Sequence, residues 1–185
     1  MIKILGIAGS LRNGSYNKAA LRAAKNLVPE NATLNIFEHL GEIPLFNQDL
    51  ENNPPGAVIE LKKAIKEADA ILFVTPEYNY SIPGVLKNAI DWASRPYGDN
   101  SWEDKPVAIT GASPGMLGTA RAQNHLRQIL LFSNMHPVNR PEVMIGSARE
   151  KFDEHLNLTD EYTKEKIKEL LAALVSWTLR LHNNS

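Results

Sequence analysis

One rhythm recurs along the chain: a short run of apolar residues ends in a polar or glycine-bearing turn, and a longer stretch with helical spacing follows. Residues 2–8 are the first such run and predict a strand. From Asn17 onward Ala20, Ala23, Ala24 and Leu27 recur at three- and four-residue intervals, so a helix with a small-residue face is expected to stop before Pro29. Residues 33–37 read as strand two. An Asn- and Pro-rich loop over 39–55 leads to helix two at 56–67. Strand three, 70–75, carries the unbroken run Ala70-Ile71-Leu72-Phe73-Val74, which suits a strand covered on both faces of a parallel sheet. Pro83 opens helix three, whose stripe is Leu86, Ala89, Ile90 and Ala93, up to Pro96. Strand four follows at 106–110, helix four at about 117–132, and a weaker strand five lies within 138–145. Thr159, Asp160 and Glu161 start a last helix with Ile167, Leu170, Leu171, Leu174, Trp177, Thr178 and Leu181 on one face. With no internal repeat or linker, the pattern predicts one doubly wound α/β domain over residues 1–185. Ligands of such folds sit beyond the carboxyl ends of the strands, where strand order reverses. The loops after strands one, three and four should therefore converge.

Composition narrows the chemistry. The 185 residues are 43% hydrophobic and 22% charged, with 11 Gly, 11 Pro and no Cys, an ordinary mixture for a globular domain. Cysteine nucleophiles, disulfides, Cys-ligated zinc and iron–sulfur clusters are excluded, and the cytoplasm is the expected compartment. Twenty Lys and Arg against 21 Asp and Glu give a net charge of -1, so neither nucleic acid nor a membrane is an expected partner. The apolar start is too short to span a bilayer and lacks the pattern of a signal peptide.

The first loop, Gly9-Ser10-Leu11-Arg12-Asn13-Gly14-Ser15-Tyr16-Asn17, opens onto a helix N-terminus, where unpaired N–H groups and the helix dipole favour an anion. Ser10, Ser15 and Asn17 can donate hydrogen bonds and Arg12 charge-assisted ones. Gly6, Gly9 and Gly14 lack the spacing of a dinucleotide fingerprint, and no Walker loop is present. Side-chain donors suit a terminal monophosphate, as in a mononucleotide; a tight turn capped by Ser15 is the plainer alternative.

In the second loop, 75–84, Pro76 and Pro83 bracket Glu77, Tyr78, Asn79 and Tyr80 at a sheet edge that could receive a flat ring. The third, Gly111-Ala112-Ser113-Pro114-Gly115-Met116-Leu117-Gly118, matches G-x-S-x-G, so a serine hydrolase built on Ser113 with His136, His155 or His182 as base is a competing reading. A nucleophile elbow uses the N–H of the residue after the serine, however, and Pro114 has none. Its glycines suit instead a backbone that closely approaches a planar ligand, with Ser113 donating.

Taken together, Gly9-Ser10-Leu11-Arg12 with Ser15 and Asn17, Pro76-Glu77-Tyr78-Asn79, and Gly111 with Ser113, Gly115 and Gly118 resemble the NAD(P)H-dependent FMN reductase family. The run from Pro76 to Trp92 is most similar to its branch of quinone, azo-dye and chromate reductases. The resemblance implies a flavodoxin-like fold: a three-layer, doubly wound, parallel five-stranded sheet of order 2-1-3-4-5. It implies noncovalent FMN, with NAD(P)H as co-substrate and a small-molecule electron acceptor. The phosphate would be held by Ser10, Arg12, Ser15 and Asn17, within a binding set that also includes Leu11, Gly14 and Tyr16. The ring would lie along Pro76, Glu77, Tyr78, Asn79 and Tyr80, with Ser113 and Gly115 on the third loop. A homodimer or homotetramer is implied, with helix three near the interface. No protein acid or base is expected, because the chemistry belongs to the flavin.

A flavodoxin-type electron carrier and a nucleotide-binding sensor without turnover are further alternatives, the carrier disfavoured by the lack of an acidic block. The five histidines form no metal motif, and residues 153–160 lack the glycine and terminal Glu of a calcium loop. Arg121, Arg127, Arg140 and Arg149 read chiefly as solvated surface, with contacts to dinucleotide phosphates or salt bridges between subunits as the alternatives. Trp92, Trp102 and Trp177 read as core or interface anchors.

Overall fold

The computed structural model describes residues 1–183, so the last two residues of the expected 1–185 domain lie outside it. Six strands and six helices follow one another: β1 (Ile2–Ala8), α1 (Tyr16–Lys25), β2 (Ala32–Ile36), α2 (Gly56–Glu67), β3 (Ala70–Val74), α3 (Gly84–Ala93), β4 (Pro106–Ala112), α4 (Ala120–Phe132), β5 (His136–Pro137), β6 (Val143–Ile145), α5 (Ala148–Lys151) and α6 (Glu161–His182). All strand pairs are parallel and the order is β2-β1-β3-β4-β5, with β6 also on β4. This is the flavodoxin-like 2-1-3-4-5 sheet.

The period of two in each strand sorts side chains onto two faces. Ile2, Ile4, Ala32, Leu34, Ala70, Leu72 and Val74 pack under α1 and α6, whereas Leu5, Ile7, Ile71, Phe73, Val107 and Ile109 pack under α2, α3 and α4. Both halves of a strand's residues are thus apolar, which is why β3 shows no alternation. The small-residue face of α1 lets it lie close: a Cβ on Gly6 would sit 2.6 Å from Leu21 Cδ1. At the start of α6, Asp160 accepts from the amide and hydroxyl of Thr163, and these bonds hold its carboxyl below the usual range.

Three local features differ from the sequence reading. The outermost sheet position is shared by β5, opposite Pro106 and Val107, and β6, opposite Thr110 to Ala112. Pro137 and Pro141 lack the N–H that one continuous strand would need. Helix four begins at Ala120 rather than 117, because Gly118 turns left-handed at φ 60°. The long 39–55 loop contains 3₁₀ turns at His39–Glu42 and Gln48–Leu50. Asn88 fastens it from α3, accepting from the Phe46 amide and donating to the Pro44 carbonyl, which Trp92 Nε1 also reaches at 2.8 Å.

Trp92 and Trp102 are core anchors, as read, and Trp177 is half-buried. Each indole N–H meets a backbone carbonyl, of Pro44, Ile90 and His136 respectively.

Candidate functional site

The carboxyl ends of β1, β3 and β4 carry the three loops singled out above, and the structure joins them through the third. Gly111, near the end of β4, lies so close to the end of β3 that a Cβ there would stand 2.0 Å from the Thr75 carbonyl oxygen and 2.4 Å from Thr119 Oγ1. Only glycine permits that approach. Asn17, on the first turn of α1, reaches across with its side-chain amide: Nδ2 donates to the Ala112 carbonyl at 2.9 Å, and Oδ1 accepts from the Ala112 amide at 2.8 Å. It is buried. Asn17 thus pins the start of α1 to the end of β4, with one amide hydrogen beyond that bond.

The first loop is organised around its hydroxyls. Ser15 caps α1, its Oγ accepting from the amides of Asn17 and Lys18, and Ser10 Oγ accepts from the Arg12 amide. Both serines are buried, whereas Leu11 and Arg12 are exposed. The Arg12 guanidinium folds back over the loop, 3.7 Å from where a Gly14 Cβ would be. Among the described residues, the amides of Leu11, Asn13, Gly14 and Ser15 donate to no protein acceptor. Tyr16 leans on Phe152, with ring centroids 5.3 Å apart. The arrangement offers free N–H groups, one guanidinium and a helix N-terminus to a single anion.

The second loop contains a two-residue turn. Tyr78 and Ser81 exchange backbone hydrogen bonds of 3.0 Å, and Asn79 and Tyr80 between them have φ of 51° and 66°. Positive φ at both central positions is the type I′ pattern, unusual for tyrosine. Tyr78 and Tyr80 are 50% and 68% exposed, so the tyrosines are not core packing of this chain. The amides of Glu77, Asn79 and Tyr80 have no protein acceptor among the described residues. The Glu77 carboxylate is engaged with α4, accepting from the amides of Arg121 and Ala122 at 2.9 and 3.1 Å. The Arg121 guanidinium lies 4.2 Å from the Tyr80 ring centroid, so this arginine belongs to the loop's support and is not merely solvated surface.

In the third loop Ser113 donates its amide to the Ile145 carbonyl, and its Oγ accepts from Gly115 at 3.1 Å. No imidazole hydrogen-bonds Ser113 among the described residues, so the geometry supplies no base for the hydrolase reading. Gly146, which that reading passed over, is tight: a Cβ would meet the Met116 carbonyl at 2.2 Å. Met116 and Leu117 are exposed at the rim.

The structure therefore brings Ser10, Arg12, Ser15 and Asn17 to one helix end and aligns the 76–80 turn and the Ser113–Gly115 turn beside it. Sequence reasoning missed Thr75, whose carbonyl abuts Gly111, and the supporting roles of Arg121 and His125, the latter 2.7 Å from Ser81 Oγ. The helical register of Arg121 and His125, four apart on α4, was the available signal.

Residues 2–150 match the family described as NADPH-dependent FMN reductase. An NAD(P)H-dependent FMN reductase of Pseudomonas aeruginosa is 54% identical over 181 residues, covering 97% of each chain. An NAD(P)H:quinone oxidoreductase of Solanum tuberosum is 45% identical over 187 residues, covering 98% of this chain and 95% of its own. Among solved structures, the flavoenzyme NAD(P)H:(acceptor) oxidoreductase FerB of Paracoccus denitrificans superposes with a TM-score of 0.89 at 38% identity, covering 97% of this chain and 98% of its own. With near-complete coverage at these identities, the chain belongs to the NADPH-dependent FMN reductase family and is an oxidoreductase working with FMN and NAD(P)H.

Proposed function

We propose that this protein is an NAD(P)H oxidoreductase with noncovalently bound FMN that reduces small, flat electron acceptors: quinones foremost, with azo compounds, free flavins and metal oxyanions such as chromate as further candidates. The observation that carries the reading is the pairing of two donor sets at one sheet edge: unpaired amides at 11 and 13–15 beside Arg12, and unpaired amides at 77, 79 and 80 beside exposed tyrosines. The residues fit the cofactor. Ser10, Arg12, Ser15 and the α1 N-terminus suit a terminal phosphate, with Leu11, Gly14 and Tyr16 shaping the cradle and Asn17 bracing it. Pro76, Tyr78, Asn79 and Tyr80 suit the ring, as do Ser113 and Gly115 on the third loop.

When bound, FMN supplies hydride acceptance from a nicotinamide and electron delivery to a second molecule. The chain's work is to bind and orient. Amides at a ring edge favour negative charge there, as donors in an oxyanion hole do. A site that admitted nicotinamide and acceptor by turns would give ping-pong kinetics. On the same reading the protein works in the cytoplasm as a homodimer or homotetramer; Leu131 and Phe132 at the end of α4, 74% and 77% exposed, are apolar surface suited to self-association.

Purification with an absorption spectrum, FMN titration, and initial rates with NADH, NADPH and a panel of acceptors test the proposal. A flavin spectrum, steady NAD(P)H turnover and parallel double-reciprocal lines are expected. A colourless protein that ignores FMN and cleaves esters overturns it, while FMN binding without turnover leaves a carrier or sensor.

A further inference from the structure

Glu77 lies on the loop assigned to the flavin ring, yet its carboxylate is engaged elsewhere. Helix α4 has Thr119 in the N-cap position, and Thr119 makes no capping bond. Glu77 supplies the missing acceptor from a different element, taking the amides of Arg121 and Ala122 on one oxygen, Oε2. An anion at this helix end is favoured twice, by the free N–H groups and by the dipole. The Arg121 guanidinium completes the link, 3.5 Å from Glu77 Oε1 and over the Tyr80 ring. These side chains thus grip both ends of a segment whose Asn79 and Tyr80 are left-handed, a conformation that persists where surroundings enforce it. Ser81 and His125 tie the far side at 2.7 Å.

We propose that Glu77 and Arg121 are positioning residues for the flavin ring: they clamp the 76–81 loop onto α4 and so hold the amides of residues 77, 79 and 80 in binding geometry, without the Glu77 carboxylate itself contacting the ring. The proposal rests on the FMN reading above. It differs from a direct contact in what it requires of substitutions. Removing the carboxylate loosens the loop, whereas the phosphate cradle at 10–17, between β1 and α1, is untouched. Gln in its place keeps an oxygen that can accept both α4 amides.

Dissociation constants for FMN and for riboflavin, which has no phosphate, are measured by calorimetry and flavin fluorescence on wild type, Glu77→Ala, Glu77→Gln and Arg121→Ala. In Glu77→Ala both constants are expected to rise by the same factor, about tenfold, the size of a lost helix cap. Glu77→Gln should return within about threefold of wild type, and Arg121→Ala should weaken both flavins by about threefold, as for one exposed cation–π contact. Wild-type constants in Glu77→Ala, a loss confined to FMN, or a Gln variant as weak as the Ala variant overturns the clamp. Should Glu77→Ala not fold, unchanged constants in Arg121→Ala do so. Failure of wild type to bind either flavin instead removes the underlying cofactor reading.

Discussion

The loops after β1 and β3 stand side by side at the same edge of the sheet, and they are held in opposite ways. The first braces itself: Ser10 and Ser15 bond to amides within two or three residues, and its long-range side-chain anchor is Asn17 on Ala112. The second is braced from outside, through Glu77, Tyr80 and Ser81 onto α4. A loop that binds a compact anion needs free donors around one point, which a helix end provides locally. A loop that must line a plane several ångströms long has no such local device, and borrows rigidity from a neighbouring helix.

The largest test of this contrast acts on the joint that both loops share. Gly111→Ala would push a Cβ into the Thr75 carbonyl; overpacking against backbone costs about 3 kcal/mol or more, and urea unfolding should show a loss of that order or no folded protein. A fully stable variant would mean that the end of β4 can move freely and that the three loops are not rigidly coupled. Next, Asn17→Ala leaves the Ala112 amide and carbonyl without partners, at about 2–4 kcal/mol for two buried groups. Denaturant unfolding should report it without flavin present, because the bonds are internal. Arg12→Ala tests the self-braced loop differently: unfolding should be unchanged while FMN affinity falls about tenfold, one charge-assisted bond to phosphate, and riboflavin affinity stays put. Equal FMN affinity in calorimetry removes Arg12 from the cradle. The smallest effect is expected for Tyr80→Gly, where relief of a left-handed tyrosine and loss of its contact with Arg121 oppose each other, leaving stability within about 1 kcal/mol. A larger loss in urea would mean that the ring, more than the carboxylate of Glu77, holds the turn.

Much of this was legible along the chain because the fold is written in local signals. Ala20, Ala23 and Ala24 announce a helix that packs closely, and Ala70 to Val74 a strand covered on both faces. The first loop was equally readable, since an N-cap serine and an arginine at a strand-to-helix junction act within a few residues of one another. What escaped was non-local. Nothing near Glu77 in sequence shows that its partners are amides 44 and 45 positions away, and nothing near Asn17 reveals Ala112. A side chain's type states what it can bond, whereas its partner is chosen by packing. The split of the last strand was missed for a simpler reason: three residues opposite β4 carry too short a pattern to register.

That split opens a route to labelling the molecule. Because β5 and β6 divide the outermost rung of the sheet between them, Asn139 and Arg140 hang outside the ladder and in solvent. Extra residues grafted between these two would interrupt no strand pairing, so a peptide tag or a dye-bearing insert can ride on this rim as a handle for immobilisation or single-molecule imaging.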